Sequence, residues 1–167
     1  MTLEGFWYTI KLFYLEPFGG VIVIRLFEHY IRGEKVYSEV VDPVCKKYNL
    51  THMEFNIIMF LYNNPKYNTQ ALICKYKKLT KSHVSVSVQT LIDKHLITKD
   101  FEGDNKKTLH LYLLDTAVVI ARAGKVKQEE FVNVVLKGFS VDERRAFYSY
   151  LNRIEDNLKG YRGDLNE

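Results

Sequence analysis

The order of segments between residues 68 and 113 constrains the fold of this chain more than any other sequence feature. Asn68 is a good N-cap for a short helix, residues 77–80 form a turn, and a second helix ends near Lys94. Two strands follow, on either side of the turn residues 102–105. This order predicts a winged helix-turn-helix, a unit that docks on duplex DNA.

The second helix of this unit has two different faces. Val84, Val88 and Leu91 recur at helical spacing, so we expect them to be buried. The opposite face carries small polar residues and one valine, most of them middling or poor helix formers, and such residues suit a helix that closely approaches base edges and phosphates. The residues of this face are Ser82, His83, Ser85, Val86 and Gln89.

The charge pattern agrees with binding to DNA. No Asp or Glu occurs between residues 55 and 92, although the chain contains 20 acidic residues and carries a net charge of +4. Lys81 lies in this span, and Lys99, Lys106 and Lys107 are expected around the tip of the hairpin. Such a distribution attracts phosphate. The alternative is a lysine face that only keeps the protein solvated. Because the acid-free stretch coincides with the predicted helix-turn-helix, DNA binding is favoured.

Another helix precedes this unit. Thr51 and Glu54 form a capping box, in which the hydroxyl accepts from a backbone amide and the carboxylate accepts from the cap residue. Phe55, Ile58 and Leu61 are predicted to face the core.

Long helices are predicted on both sides. One spans 21–47, with a candidate break near Gly33, and another spans 115–137, with a candidate disturbance at Gly124. A last helix begins in a capping box at Ser140 and carries an apolar seam. The seam packs on its own domain or, as we favour for a reader of palindromic DNA, on a second copy. The predicted dimer interface comprises Phe27, Ile31, Phe147, Leu151, Ile154 and Leu158.

These elements give a mainly α fold with a small β-hairpin wing (α+β). We expect an N-terminal extension at 1–20, an N-terminal dimerisation helix at 21–47 and the winged helix-turn-helix domain at 48–114. C-terminal dimerisation helices then span 115–160, and a tail spans 161–167.

The extension is rich in aromatic residues but has neither the charge pattern of a signal peptide nor an uninterrupted membrane span. It is either a dimerisation arm or upstream sequence read from a misassigned start. No membrane association is predicted.

The sequence does not indicate an enzyme. Ser85 and Ser87 lack a GxSxG setting, and there is no glycine-rich phosphate loop, so no cofactor is predicted. The five histidines show no metal-binding spacing, so no metal is predicted. Cys45 and Cys74 are expected to be reduced in a cytoplasmic protein. Cys45 is the better candidate for a redox-active thiol, because the lysines after it could lower its pKa.

Four stretches, in this order, resemble the MarR family of bacterial transcriptional regulators over residues 36–158. They are NLTHMEFNIIMFL, NTQALICKYKKLTKSHVSVSVQTLIDKHLI, KDFEGDNKKTLHLYLLD and KGFSVDERRAFYSYLNRIEDNL. The resemblance implies a homodimer that binds a palindromic operator in double-stranded DNA. It implies DNA contacts through the recognition helix, through wing residues Asn105, Lys106 and Lys107, and through Thr69 and Gln70 at the start of the preceding helix. Val86 departs from the family, which often has Arg there, and the wing has Asn-Lys-Lys in place of Asp-Arg-Arg.

The resemblance also implies a pocket for a small-molecule effector. Its candidate lining residues are Tyr30, Tyr37, Phe55, Met59 and Tyr62, although ordinary core packing is the alternative for all five. The sequence therefore predicts a dimeric, sequence-specific transcriptional regulator, a repressor released by a small-molecule or oxidative signal. The alternative function is a winged-helix module for protein–protein contact.

Overall fold

The computed structural model describes residues 19–103 and 105–160, with the side chains of 19–27, 105 and 159 left out. The predicted tail and nearly all of the predicted extension lie outside the described residues. Within them, six helices and one two-stranded antiparallel sheet confirm the predicted mainly α fold with a hairpin. The elements are α1 (Gly19–Lys47), α2 (His52–Asn63), α3 (Gln70–Lys77), α4 (Lys81–Asp93), β1 (Ile97–Glu102), β2 (Asn105–Leu113), α5 (Asp115–Val135) and α6 (Val141–Gly160). The chain divides into two compact units between Phe131 and Val132, within α5.

Helix α2 lies at the centre of the first unit. The predicted capping box is confirmed: Thr51 Oγ1 accepts from the Glu54 amide at 3.2 Å, and Glu54 Oε2 accepts from the Thr51 amide at 2.9 Å. Phe55, Ile58 and Leu61 are buried as predicted. The core around them also includes side chains from α1, α3, α4, α5 and the hairpin, so α2 is enclosed on nearly all sides.

Neither predicted irregularity occurs in the flanking helices. Helix α1 runs through Gly33 without a break, because a single glycine weakens a helix by only about 1 kcal/mol. Helix α5 runs through Gly124, which is buried against α2. A Cβ added there would lie 2.5 Å from Met59 Sδ and 2.9 Å from two ring atoms of Phe55. Gly124 is thus the point at which α5 and α2 approach closely, and it does not disturb α5.

The hairpin follows a regular register from its base. Ile97 pairs with Leu113 and Lys99 with Leu111, and a bulge lies between Phe101 and Glu102. Gly103 follows at a φ of +57°, a conformation that favours glycine. Lys99 therefore lies midway along the wing, and the prediction that it lies at the tip was wrong.

The second unit consists of the end of α5, a turn and α6. Gly138 has a φ of +87°, and the predicted capping box follows, with the Ser140 amide donating to Glu143 Oε2 at 2.7 Å. Arg144 donates to the carbonyls of Leu136 and Phe139, at 2.9 and 3.2 Å, and so joins α6 to the end of α5.

Candidate nucleic-acid interface

The burial of one side of α4 determines which side chains it presents outward. Val84, Val88 and Leu91 are almost inaccessible, as predicted, and this fixes the rotation of the helix about its axis. The five residues predicted for the opposite side are all exposed, and we call them the recognition face. They are Ser82, His83, Ser85, Val86 and Gln89.

Local hydrogen bonds hold parts of this face. Gln89 Nε2 donates to Asp93 Oδ1 at 2.8 Å, one turn further along α4, and Ser82 Oγ lies 3.2 Å from Thr80 Oγ1. Thr80 is the N-cap, but its side chain makes no capping hydrogen bond, and the first turn contains no acidic residue. The start of α4 therefore leaves backbone amides for an anionic partner such as phosphate.

The start of α3 differs from the prediction. Thr69, and not Asn68, is the N-cap, because Thr69 Oγ1 accepts from the Leu72 amide at 3.3 Å. Thr69 is also buried, which leaves its side chain little surface for a DNA backbone. Gln70 is partly exposed and remains available for the contact that the family resemblance implies.

Asn68 instead holds the wing. Its carbonyl accepts from the Leu111 amide and its Oδ1 lies against His110 Nδ1, both at 2.7 Å. Glu102 Oε2 lies 3.4 Å from the same His110 nitrogen. These contacts fix β2 against the start of α3 and were missed by sequence reasoning, since the partners lie far apart in the chain.

A groove lies between α3, α4 and the wing, with a volume of about 440 Å³. We call it the basic groove because it brings together three of the predicted lysines, Lys81, Lys99 and Lys107. It also includes Gln70 and, from the recognition face, Ser85 and Gln89. Elements that are distant in sequence thus form one concave, positively charged surface beside the recognition face.

Lys106, the last of the lysines predicted to contact DNA, lies at the tip of the wing. Lys106 is exposed, with its Nζ 5.7 Å from the centroid of the Phe101 ring, a cation–π arrangement. The side chain of Asn105, for which a DNA contact was predicted, lies outside the described side chains.

The end of α4 is joined to the start of α2. Lys94 Nζ donates to Glu54 Oε2 at 2.8 Å and to the Asn49 carbonyl at 2.7 Å. Glu54 is only 4% exposed, so the carboxylate of this ion pair is shielded from solvent, whereas the Lys94 side chain is partly exposed. On the other side of α2, His52 Nδ1 lies 2.6 Å from Ser38 Oγ of α1. Contacts therefore run from α1 through the start of α2 to the end of α4.

The five residues predicted to line an effector pocket lie in different environments. Phe55 and Met59 are core residues that pack on Gly124, and Tyr30 is exposed and donates to Glu34 at 2.8 Å. Tyr62 is only partly buried and packs against the core. Tyr37 lines a cavity of about 240 Å³, and the other lining residues are Glu34, Ser38, Val41, His52 and Asn56.

The lowered pKa expected for Cys45 as a redox-active thiol is not found, whereas its free thiol agrees with the expected reduced state. The thiol is buried, and burial, with a smaller contribution from the Asp42 carboxylate, raises its pKa. The two lysines that follow it are exposed and do not reverse this effect. A raised pKa disfavours the reactive thiolate, so Cys45 is a poor redox sensor.

Among the described residues, no group of three or more His, Cys, Asp or Glu side chains could hold a metal ion. The same part of the chain contains no helix long and apolar enough to cross a membrane.

The predicted dimer residues expose apolar surface on α1 and α6. Ile31 is exposed, and the side chain of Phe27 lies outside the described side chains. The four positions predicted on α6, which we call the α6 seam, are all exposed in this single chain. They are Phe147, Leu151, Ile154 and Leu158.

Comparison with protein families identifies the helix-turn-helix region. Residues 48–107 match the model of the MarR family, which confirms the resemblance found in the sequence. The members of this family are transcriptional regulators and not enzymes. No curated protein matches the sequence.

Solved structures confirm the fold at low sequence identity. A MarR transcriptional regulator from Methanosarcina mazei Go1 superposes with a TM-score of 0.66 at 17% identity, covering 86% of this chain and 100% of that one. A putative MarR family regulator from Listeria monocytogenes, complexed with 26mer DNA, gives 0.66 at 19% identity and covers 80% and 87%. Staphylococcus aureus MarR in complex with salicylate and kanamycin gives 0.65 at 17% identity and covers 84% and 94%.

Proposed function

Because residues 48–107 form a winged helix-turn-helix of the MarR family, we propose that this chain is a cytoplasmic transcriptional regulator that binds duplex DNA as a homodimer. One observation carries the proposal: the recognition face has no acidic residue and lies beside the basic groove with Lys81, Lys99 and Lys107. A surface of this shape and charge suits a helix that enters a major groove while lysines contact the flanking phosphates. The Listeria relative with this fold was solved with DNA, which supports the same role.

The wing supplies the second part of the proposed DNA contact. Asn68 and His110 hold its base, while Lys106 and Lys107 are exposed near its tip. Lysine contacts of this kind add affinity for any sequence, because phosphate carries no sequence information. The wing therefore sets affinity, and the recognition face sets sequence preference.

The α6 seam supports the homodimer. Its four side chains remain exposed in the isolated chain at 4-3-4 spacing, and a second copy of the helix would cover them. Two recognition helices related by a two-fold axis would then read a palindromic operator.

A small-molecule effector is part of the proposal, and the S. aureus relative with salicylate supports it. We assign the effector to the cavity lined by Tyr37, Ser38 and His52, in place of the pocket predicted from the sequence. A ligand there would contact Ser38 and His52, next to the start of α2 from which Glu54 binds Lys94 at the end of α4. We propose that its binding weakens DNA binding and that the regulator is a repressor released by the ligand. The burial of Cys45 removes the oxidative signal from the proposal.

The salt dependence of DNA binding tests this function. Fluorescence anisotropy with labelled duplex, on protein whose mass is checked by light scattering, should give a Kd that rises steeply with salt concentration. The double substitution Lys106→Ala and Lys107→Ala should weaken binding to every duplex alike and reduce the salt slope by about 1 for each lysine that pairs with a phosphate. The matched control is Lys46→Ala with Lys47→Ala, an adjacent exposed pair on α1 that should leave the slope unchanged.

A clean dimer that ignores duplex even at low salt would contradict the proposal. It would favour the alternative, a winged-helix module for protein contact. The exposed valine on the recognition face is the observation that favours this alternative.

A further inference from the structure

We propose that Val86 determines sequence specificity by packing against the C5-methyl group of a thymine in the major groove. The inference rests on the proposed DNA-binding function and adds one base preference to it. The side chain of Val86 is largely exposed in this chain, so most of its apolar surface is available to a partner.

The exposure of Val86 is the first line of support. Its side chain is 69% exposed, the highest value among the large apolar residues that are exposed within residues 48–114. Valine is β-branched and a poor helix former, so helix propensity does not explain its presence on an exposed helix surface. The residue is thus locally unfavourable in the isolated chain, and contact with a partner would offset this cost.

The position of Val86 is the second line of support. The buried Val84 and Val88 on either side fix its direction outward, and Thr90 Oγ1 donates to the Val86 carbonyl at 3.1 Å. Ser82 and Ser85, its neighbours on the recognition face, have short side chains. Val86 therefore projects beyond these two serines and lies between the longer side chains of His83 and Gln89, at the centre of the surface that would face a groove.

The chemistry of the major groove then selects the base. Each base edge there offers hydrogen-bonding groups except for one apolar feature, the C5-methyl of thymine. Valine has no side-chain donor or acceptor, so against guanine, adenine or cytosine it would bury a polar group without a partner. Only thymine gives it an apolar contact, and the surrounding serines, His83 and Gln89 remain for hydrogen bonds to adjacent bases.

The test replaces the thymine methyl on the DNA. Duplexes that bind wild-type protein are selected from a randomised library, and the best site is resynthesised with single thymines replaced by deoxyuridine, which differs only by the methyl. For wild type, one symmetry-related pair of positions should show Kd raised by about fourfold per replacement, the factor for burial of one methyl. Val86→Ala should lose most of this difference at that pair and keep any difference elsewhere.

The controls separate contact from folding. Val126→Ala makes the same change at a comparably exposed position on α5, and should retain the full thymine-to-deoxyuridine ratio. Because the ratio is measured within each variant, a general loss of affinity cancels. Alanine is a better helix former than valine, so Val86→Ala should fold, and circular dichroism checks this.

The outcomes distinguish failure of the DNA-binding function from failure of the role proposed for Val86. If wild type selects no duplex, the DNA-binding function fails and this inference fails with it. If wild type binds a selected duplex with a steep salt slope but no thymine is sensitive to deoxyuridine, the function stands and the role of Val86 is refuted. Sensitivity that persists undiminished in Val86→Ala refutes it equally.

Discussion

Two glycines in helices should respond to the same substitution in opposite directions. Gly124→Ala places a methyl 2.5 Å from Met59 Sδ and 2.9 Å from the Phe55 ring, and both of these side chains are buried. Inserting carbon into a close-packed core costs about 1–3 kcal/mol, and the two ring atoms leave little room for relaxation. The higher helix propensity of alanine returns about 1 kcal/mol. We therefore expect a net loss of up to about 2 kcal/mol in the free energy of unfolding.

Gly33→Ala is the matched control. A Cβ at Gly33 meets no atom within 4 Å, so only the propensity gain of about 0.5–1 kcal/mol applies and the variant should be more stable than wild type. Urea denaturation at one fixed protomer concentration measures both variants and keeps any effect of dimerisation constant. If Gly124→Ala stabilises the protein as much as Gly33→Ala does, the close approach of α5 and α2 at Gly124 is refuted.

The other structural predictions concern an ion pair, the α6 seam and a thiol. Lys94→Ala leaves the buried Glu54 carboxylate without its cation and should cost about 1–3 kcal/mol in urea denaturation, whereas the exposed Lys46→Ala should change nothing measurable. Leu151→Asp should halve the mass seen by light scattering, whereas Asn152→Asp, off the seam, should not; a dimer that survives Leu151→Asp places the interface elsewhere. Because burial raises its pKa, Cys45 should resist a thiol reagent at pH 8 until urea is added. Peptide mapping of the native protein checks this, and label on the Cys45 peptide before urea is added would contradict the prediction.

The features that the sequence predicted well are those determined by residues close together in the chain. The capping box of Thr51 and Glu54 spans three positions, and its partners meet whenever the helix forms. The buried stripe of α4 follows from helical spacing alone, and it also determines the recognition face. The element order of the winged helix-turn-helix was predictable for the same reason.

The features that were missed depend on contacts between distant residues. Asn68 is a chemically suitable N-cap, but His110 and Leu111 bind it from β2, so the adjacent Thr69 caps α3. Phe55 and Met59 were predicted to line an effector pocket because their side chains are large and apolar. Helical spacing predicted the burial of Phe55 but not that of Met59, and both are buried in the core. The close approach of Gly124 to these two side chains could not be predicted locally, since it depends on how two helices meet.

The attachment of the wing divides the hairpin into a base and a tip. The Leu111 amide, on the outer edge of β2, donates to the Asn68 carbonyl. The buried apolar face of the hairpin ends at the same position, since Leu109, two residues nearer the tip, is exposed. Residues nearer the tip contribute little to the core, so substitution there carries little penalty in folding. If the tip contacts DNA as proposed, mutation there would change the strength of DNA binding while the fold keeps its stability, and the tip is then the part of the chain best suited to adaptation during evolution.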